Sequence, residues 1–145
     1  MTFSRHVDVN WKGSVLEGAG EAKAGSGAFN LPVSFPRRIG DPEGKTSPEE
    51  LVAAAHASCY AMALNAHVGR KGGAIAKTHI TCTVSADKGD AGIKITTSTL
   101  VVVAEGLTGI DPHLFADVAK EAEGKCPVSN ALRGSLHIEV HASVK

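Results

Sequence analysis

The sequence predicts an α+β fold in which an antiparallel sheet packs on a long, buried central helix. Three observations carry this. Stretches of apolar/polar alternation open the chain, close it and fill its middle. One long apolar segment, residues 47–70, carries helical start and stop signals. The tight, Gly-marked connections favour hairpins, and hence antiparallel pairing. With 145 residues, the chain suits a single domain, 1–145, whose core needs no metal or disulfide.

Residues 3–12 read as a half-buried strand, with Phe3, Val7, Val9 and Trp11 on one face. Gly13 marks a turn, residues 15–24 a weaker strand, and residues 28–35 a short edge strand because of Pro32. Residues 36–46, rich in Pro, Gly and charge, form a loop into the central helix. There Ser47 caps, Pro48 fits the first helical position, and Glu50 completes a capping box. Gly69, Gly72 and Gly73 stop the helix. Its apolar residues cover nearly the whole circumference, so it should be buried on most sides. A sheet covers one side, and a symmetric homodimer pairing two such helices would cover the other.

Ala76 to Ala86 and residues 92–104 predict a long hairpin, with a bulge or a change of exposed face where the apolar phase shifts between Ile93/Ile95 and Leu100/Val102. Asp111-Pro112 starts a helix with a Leu114, Phe115, Val118, Ala119, Ala122 stripe, ended by Gly124. Cys126-Pro127 caps and opens a further short helix to about Leu132. Leu136 to Val144 alternates cleanly as the last strand.

Lysine plus arginine and aspartate plus glutamate each number 15, so charge gives no reason to expect nucleic acid or an anionic membrane as partner. The first ten residues lack a signal-peptide core, and the one long apolar run contains Glu, His and Asn, unlike a membrane span. Three scattered cysteines do not make a disulfide scaffold. A cytoplasmic protein is expected, in which a disulfide would be catalytic rather than structural.

Cys59 lies about 18 Å beyond the helix N-cap, too far for the helix dipole to ionise it. Burial raises a thiol pKa, so a reactive Cys59 needs an imported cation; an inert core thiol is the alternative. Cys126 starts a helix, where a thiolate is favoured. Cys82, between Ile80 and Val84, reads as structural. Arg37 and Arg38 are the nearest cations, or else solvated loop residues. Glu49 can fix an arginine or simply offset the helix dipole. It precedes Cys59 by ten residues, about 15 Å along one helix, so if both serve one site Glu49 should come from the other subunit. His56 stands three residues before Cys59, as a possible zinc ligand with it or a nucleophile–base dyad. No dinucleotide or phosphate-loop motif is present.

The stretches Trp11-Lys12-Gly13, SPEELVAAAHASC with YAMAL, KGDAG and CPVSNAL resemble the OsmC/Ohr family of thiol-dependent peroxidases, the OsmC branch above all. The resemblance implies an intertwined homodimer with two sheets wrapped around paired central helices. It implies organic hydroperoxides, and hydrogen peroxide as a further candidate, as substrates in defence against oxidative or osmotic stress. It makes Cys59 the peroxidatic and Cys126 the resolving cysteine. It makes Glu49 the partner of a catalytic arginine across the dimer interface, with Arg38 chosen and Arg37 open. A dithiol or lipoyl-type reductant is implied, and no metal, flavin or haem cofactor. The competing readings are a non-catalytic redox-sensing or ligand-binding dimer and a small metal-binding protein.

Overall fold

A computed structural model describes all residues, Met1–Lys145. The chain divides into two compact units, Met1–Leu51 and Val52–Lys145.

In the first unit, β1 (Val7–Lys12), β2 (Ala19–Ala24) and β3 (Asn30–Val33) form an antiparallel sheet in that order. Pro32 lies on the edge strand β3, as its missing N–H requires. Within the expected loop stands a short helix, α1 (Phe35–Ile39), opened by Pro36 in its first turn. The chain then turns back. Thr46 pairs with Val33, and its N–H donates to the Pro32 carbonyl at 3.0 Å. The half-buried strand expected over residues 3–12 is corrected: Val9 and Trp11 are 61% and 41% exposed. The unit buries only the small side chains Ala22, Ala24 and Thr46, which cannot build a layer over β1.

α2 (Pro48–Arg70) begins in the first unit and continues through the second. Ser47 caps it, its Oγ accepting from the Glu50 N–H at 3.1 Å. The capping box is half made, because the Glu50 carboxylate accepts the Thr46 hydroxyl at 2.7 Å. Gly72, at φ +82°, turns the chain out of the helix.

In the second unit, β4 (Ala74–Gly89) and β5 (Gly92–Thr108) form the expected hairpin. The register shifts by one residue opposite Ser85/Ala86, which leaves Thr96 unpaired. This bulge moves the inward face from Ile93 and Ile95 to Ser98, Leu100, Val102 and Ala104. A 3₁₀ turn (Pro112–Leu114), α3 (Phe115–Glu123) and α4 (Pro127–Leu132) follow, and β6 (His137–Val144) ends the chain. β6 runs parallel to β5, against the expected all-antiparallel pairing. The helices act as a crossover, returning the chain to the end where β5 began.

The core lies between this sheet and two helices. α2 contributes Tyr60, Leu64 and Val68; β5 contributes Leu100, Val102 and Ala104; α3 contributes Phe115, Val118, Ala119 and Ala122. Each large side chain contributes about 1.5–3 kcal/mol by leaving water. Leu114 of the expected helical stripe is exposed, because it belongs to the 3₁₀ turn. The all-round burial expected of α2 is also corrected. His56, Tyr60, Leu64 and Val68 form its one buried face, whereas Met62 is 70% exposed.

Candidate active site

Cys126 is the N-cap residue of α4, as the Cys-Pro pair predicts, with Pro127 at the first helical position. It is fully buried, and its sulfur accepts from the Ser129 N–H at 3.5 Å. Cys59, on the face of α2 that meets this helix start, is half-buried against the same core. The two thiols are neighbours, near enough to shift each other's ionisation, and the Val128 N–H faces the Cys59 sulfur. The first turn of α4 thus lies beside both sulfurs, and neither cysteine is in a disulfide. Burial pushes the Cys59 thiol up, against the opposing pull of the Val128 N–H, and the neighbouring Cys126 raises it further. Such a thiol needs a positive charge to ionise near neutral pH.

One turn before Cys59, His56 is completely buried. Its Nδ1 lies 2.7 Å from Ser98 Oγ on β5, and its Nε2 lies 2.7 Å from Ser129 Oγ on α4. Both ring nitrogens are therefore engaged. This removes His56 as a zinc ligand or as a base for Cys59. No group of three or more His, Cys, Asp or Glu side chains is arranged to hold a metal ion. Burial pushes the imidazole pKa down, so the ring is neutral at pH 7. Cys82 is half-buried and lies 3.3 Å from Ser98 Oγ. The serines escaped the sequence reading because they stand 42 and 73 residues from His56. The available signal was a histidine on the apolar face of a helix, which needs partners once buried.

Arg38 and Glu49 both lie in the first unit. Arg38 Nη2 donates to Glu49 Oε1 at 2.6 Å, and its Nε lies 3.1 Å from both carboxylate oxygens. The hydrogen bonds from Arg38 hold the Glu49 carboxyl below the usual carboxylate range. Arg37 instead pairs with Glu43 at 2.6 Å, so Arg38 is the arginine that Glu49 orients. The expectation that this pair forms across a dimer interface is corrected: both residues belong to one chain. The physical reason is the return of the chain from α1 to the Val33–Thr46 bridge, which brings the α2 start beside α1. Arg38 also lines an apolar cleft of about 480 Å³ with Val9, Trp11, Val33, Phe35 and Leu51.

Two neighbouring free thiols at a helix start, on an α+β fold that also carries an arginine aligned by a carboxylate, are groups suited to thiol redox chemistry. Residues 40–141 match the family described as OsmC-like protein, and the chain belongs to that family. It is 35% identical over 140 residues to Peroxiredoxin OsmC of Escherichia coli, covering 96% of each chain. It is 32% identical over 122 residues to the organic hydroperoxide resistance protein OhrA of Bacillus subtilis, covering 79% of this chain and 81% of that one. The crystal structure of OhrB of Bacillus subtilis superposes with a TM-score of 0.74 at 25% identity, covering 95% of this chain and 98% of that one. No helix is long and apolar enough to cross a membrane.

Proposed function

We propose that this chain is a two-cysteine, thiol-dependent peroxidase that reduces organic hydroperoxides in defence against oxidative stress. The observation that carries the reading is the closeness of Cys59 and Cys126, which pack in one cluster although 67 residues apart in sequence. In the first step the Cys59 thiolate attacks the distal peroxide oxygen. The O–O bond breaks, the alkoxide takes a proton and leaves as the alcohol, and sulfur becomes a sulfenic acid. In the second step Cys126 attacks the Cys59 sulfur. The S–S bond forms, the S–O bond breaks, and hydroxide leaves with the Cys126 proton as water. A dithiol of the dithiothreitol or lipoyl type then reduces the disulfide by two exchanges. Names of relatives that carry peroxiredoxin and organic hydroperoxide resistance support this reading.

Arg38, aligned by Glu49, supplies the positive charge that Cys59 lacks and hydrogen-bonds the peroxide oxygen. Glu49 stands about 15 Å along α2 from Cys59, so we assign Arg38 of the partner subunit to each thiol pair in a cytoplasmic homodimer. The apolar cleft beside Arg38 favours peroxides with hydrocarbon tails over hydrogen peroxide.

The test is steady-state reduction of cumene hydroperoxide and of hydrogen peroxide with a dithiol, using wild type, Cys59→Ser and Cys126→Ser. Cys59→Ser is expected to lose turnover, and Cys126→Ser to oxidise once and stop. Full activity in Cys59→Ser would sink the mechanism. A wild type that oxidises once without turnover would instead be a sensor.

A further inference from the structure

We propose that His56 is a positioning residue for the resolving step: by bridging Ser98 and Ser129, it holds α4 in the register that keeps Cys126 against Cys59. This inference deepens the peroxidase reading and rests on it.

α2 holds both His56 and Cys59, one helical turn apart. α4 holds Ser129 in its first turn and Cys126 at its cap, three residues earlier. The His56–Ser129 and Cys59–Cys126 contacts therefore lie side by side, each joining α2 to the same turn of α4. α4 is only six residues long and buries a single side chain of its own, that of Ser129. So short a helix has little apolar surface to fix its rotation. A directional bond at its one buried residue sets that rotation instead.

The other end of the bridge is anchored on the sheet. Ser98 belongs to the inward face of β5, at the point where the bulge has shifted the strand's phase. His56, Ser98 and Ser129 are all fully buried, so each bond forms away from competing water. A neutral imidazole donates from one nitrogen and accepts at the other. The chain can run in either direction: from the Ser129 hydroxyl through the ring to Ser98 and the Cys82 sulfur, or from the Cys82 thiol through Ser98 and the ring to Ser129 Oγ. Cys82, outside the redox pair, ends the chain in both.

The consequence falls on one chemical step. Oxidation of Cys59 needs peroxide and a cation, and α4 does not have to hold still for it beyond the Val128 N–H. Closure of the disulfide needs the Cys126 sulfur in line with the Cys59 S–O bond, and this depends on how α4 is turned. Misplacing a reacting group by about 1 Å can cost as much as a hundredfold in rate.

The experiment separates the two steps in Ser129→Ala, Ser98→Ala and His56→Gln, each first shown to be folded by near-UV circular dichroism. A mass-tagging sulfenic acid trap reads Cys59 oxidation, and non-reducing mass analysis after a peroxide pulse reads disulfide closure. Ser129→Ala is expected to slow closure by about ten- to a hundredfold while Cys59 oxidation changes by less than about threefold. Trapped sulfenic acid rises accordingly. Ser98→Ala, which frees Nδ1 but leaves the α4 bond, slows closure less. His56→Gln keeps one donor and one acceptor and closes closer to the wild-type rate than Ser129→Ala does. Closure at the wild-type rate in folded Ser129→Ala, or equal slowing of both steps, overturns the proposal. A second arm exposes the reduced proteins to glutathione disulfide, in which Cys126 displaces glutathione from Cys59 without any peroxide. The same order of variants is expected there. If wild type ignores peroxide yet closes in the glutathione arm, the peroxidase reading falls while the clamp is still judged by that order.

Discussion

The two units of the chain differ in how much of their own apolar surface they cover. The second packs ten large and small apolar side chains of α2, α3 and β5 around a filled centre, with Cys126 at its margin. The first buries two alanines and a threonine and leaves Val7, Val9 and Trp11 exposed on one strand. Their chemistry differs in the same way. The second unit holds the Cys59–Cys126 pair, and burial and Cys126 raise the Cys59 pKa against the opposing pull of the Val128 N–H. The first holds an arginine already aligned by a carboxylate and contains no cysteine of its own. Each unit thus has what the other lacks. In the homodimer proposed above, a second copy of the chain is the expected cover for the exposed strand and the expected source of a cation for the thiol.

The largest expected effect tests that complementarity directly. Arg38→Ala and Cys59→Ser should each reduce peroxide turnover by about a hundredfold or more. Co-refolding equal amounts of the two dead variants should then restore about a quarter of wild-type activity, since half of the dimers are mixed and each mixed dimer carries one complete site. A mixture as inactive as its components would mean that Arg38 serves the thiol of its own chain. The measurement is steady-state cumene hydroperoxide reduction before and after subunit exchange.

Much of this division was legible in the sequence, and the exceptions have physical causes. Alternation and turn signals located every strand, and Cys126-Pro127 announced the cap that Cys126 forms on α4. The bulge at Thr96 followed from the phase shift in residues 92–104. Periodicity says which face of β1 is apolar but not what covers it, so its exposure could not be read. The direction of β6 was missed because it is set by a helical crossover rather than a tight turn. The α1 helix was hidden by a Pro and a Gly that read as loop signals. Arg38 and Glu49 were both named, yet their union within one chain depends on a return of the backbone at Thr46 that no spacing rule encodes. His56 was named for its neighbour Cys59, whereas its partners lie on distant elements.

A smaller effect distinguishes a core that is complete from one that needs a cover. Leu100→Ala should cost about 2–5 kcal/mol in urea denaturation, as expected of a buried leucine that leaves a cavity. Val9→Ala, at a site this exposed, should cost no more than about 0.5 kcal/mol if β1 remains bare. If a second copy covers β1, the cost rises to about 1 kcal/mol or more, and the denaturation midpoint depends on protein concentration. The second outcome is expected. A small Val9→Ala effect at every concentration would remove the second copy as the cover.

The smallest effect separates the units by pH. His56 in the second unit has its pKa lowered by burial. Between its folded pKa and the unfolded value of about 6.5, the unfolded chain binds the extra proton. Its contribution is therefore complete above about pH 6.5 and is lost as the pH falls below that. Glu49 in the first unit has its pKa lowered by the hydrogen bonds from Arg38. Its contribution is complete above the unfolded carboxylate value of about 4.3 and is lost as the pH falls through the lower folded value. Wild type should thus lose stability in two successive windows on acidification. His56→Gln should flatten the upper one, and Glu49→Gln the lower one, by about 1 kcal/mol or less for the half-exposed ion pair. Urea midpoints of the three proteins between pH 8 and pH 3 provide the check. If the upper window survives in His56→Gln, another group titrates there; the lower window keeps the part due to Glu121 and Glu139, and if Glu49→Gln leaves it no shallower than in wild type, the Arg38–Glu49 pair adds nothing to folding.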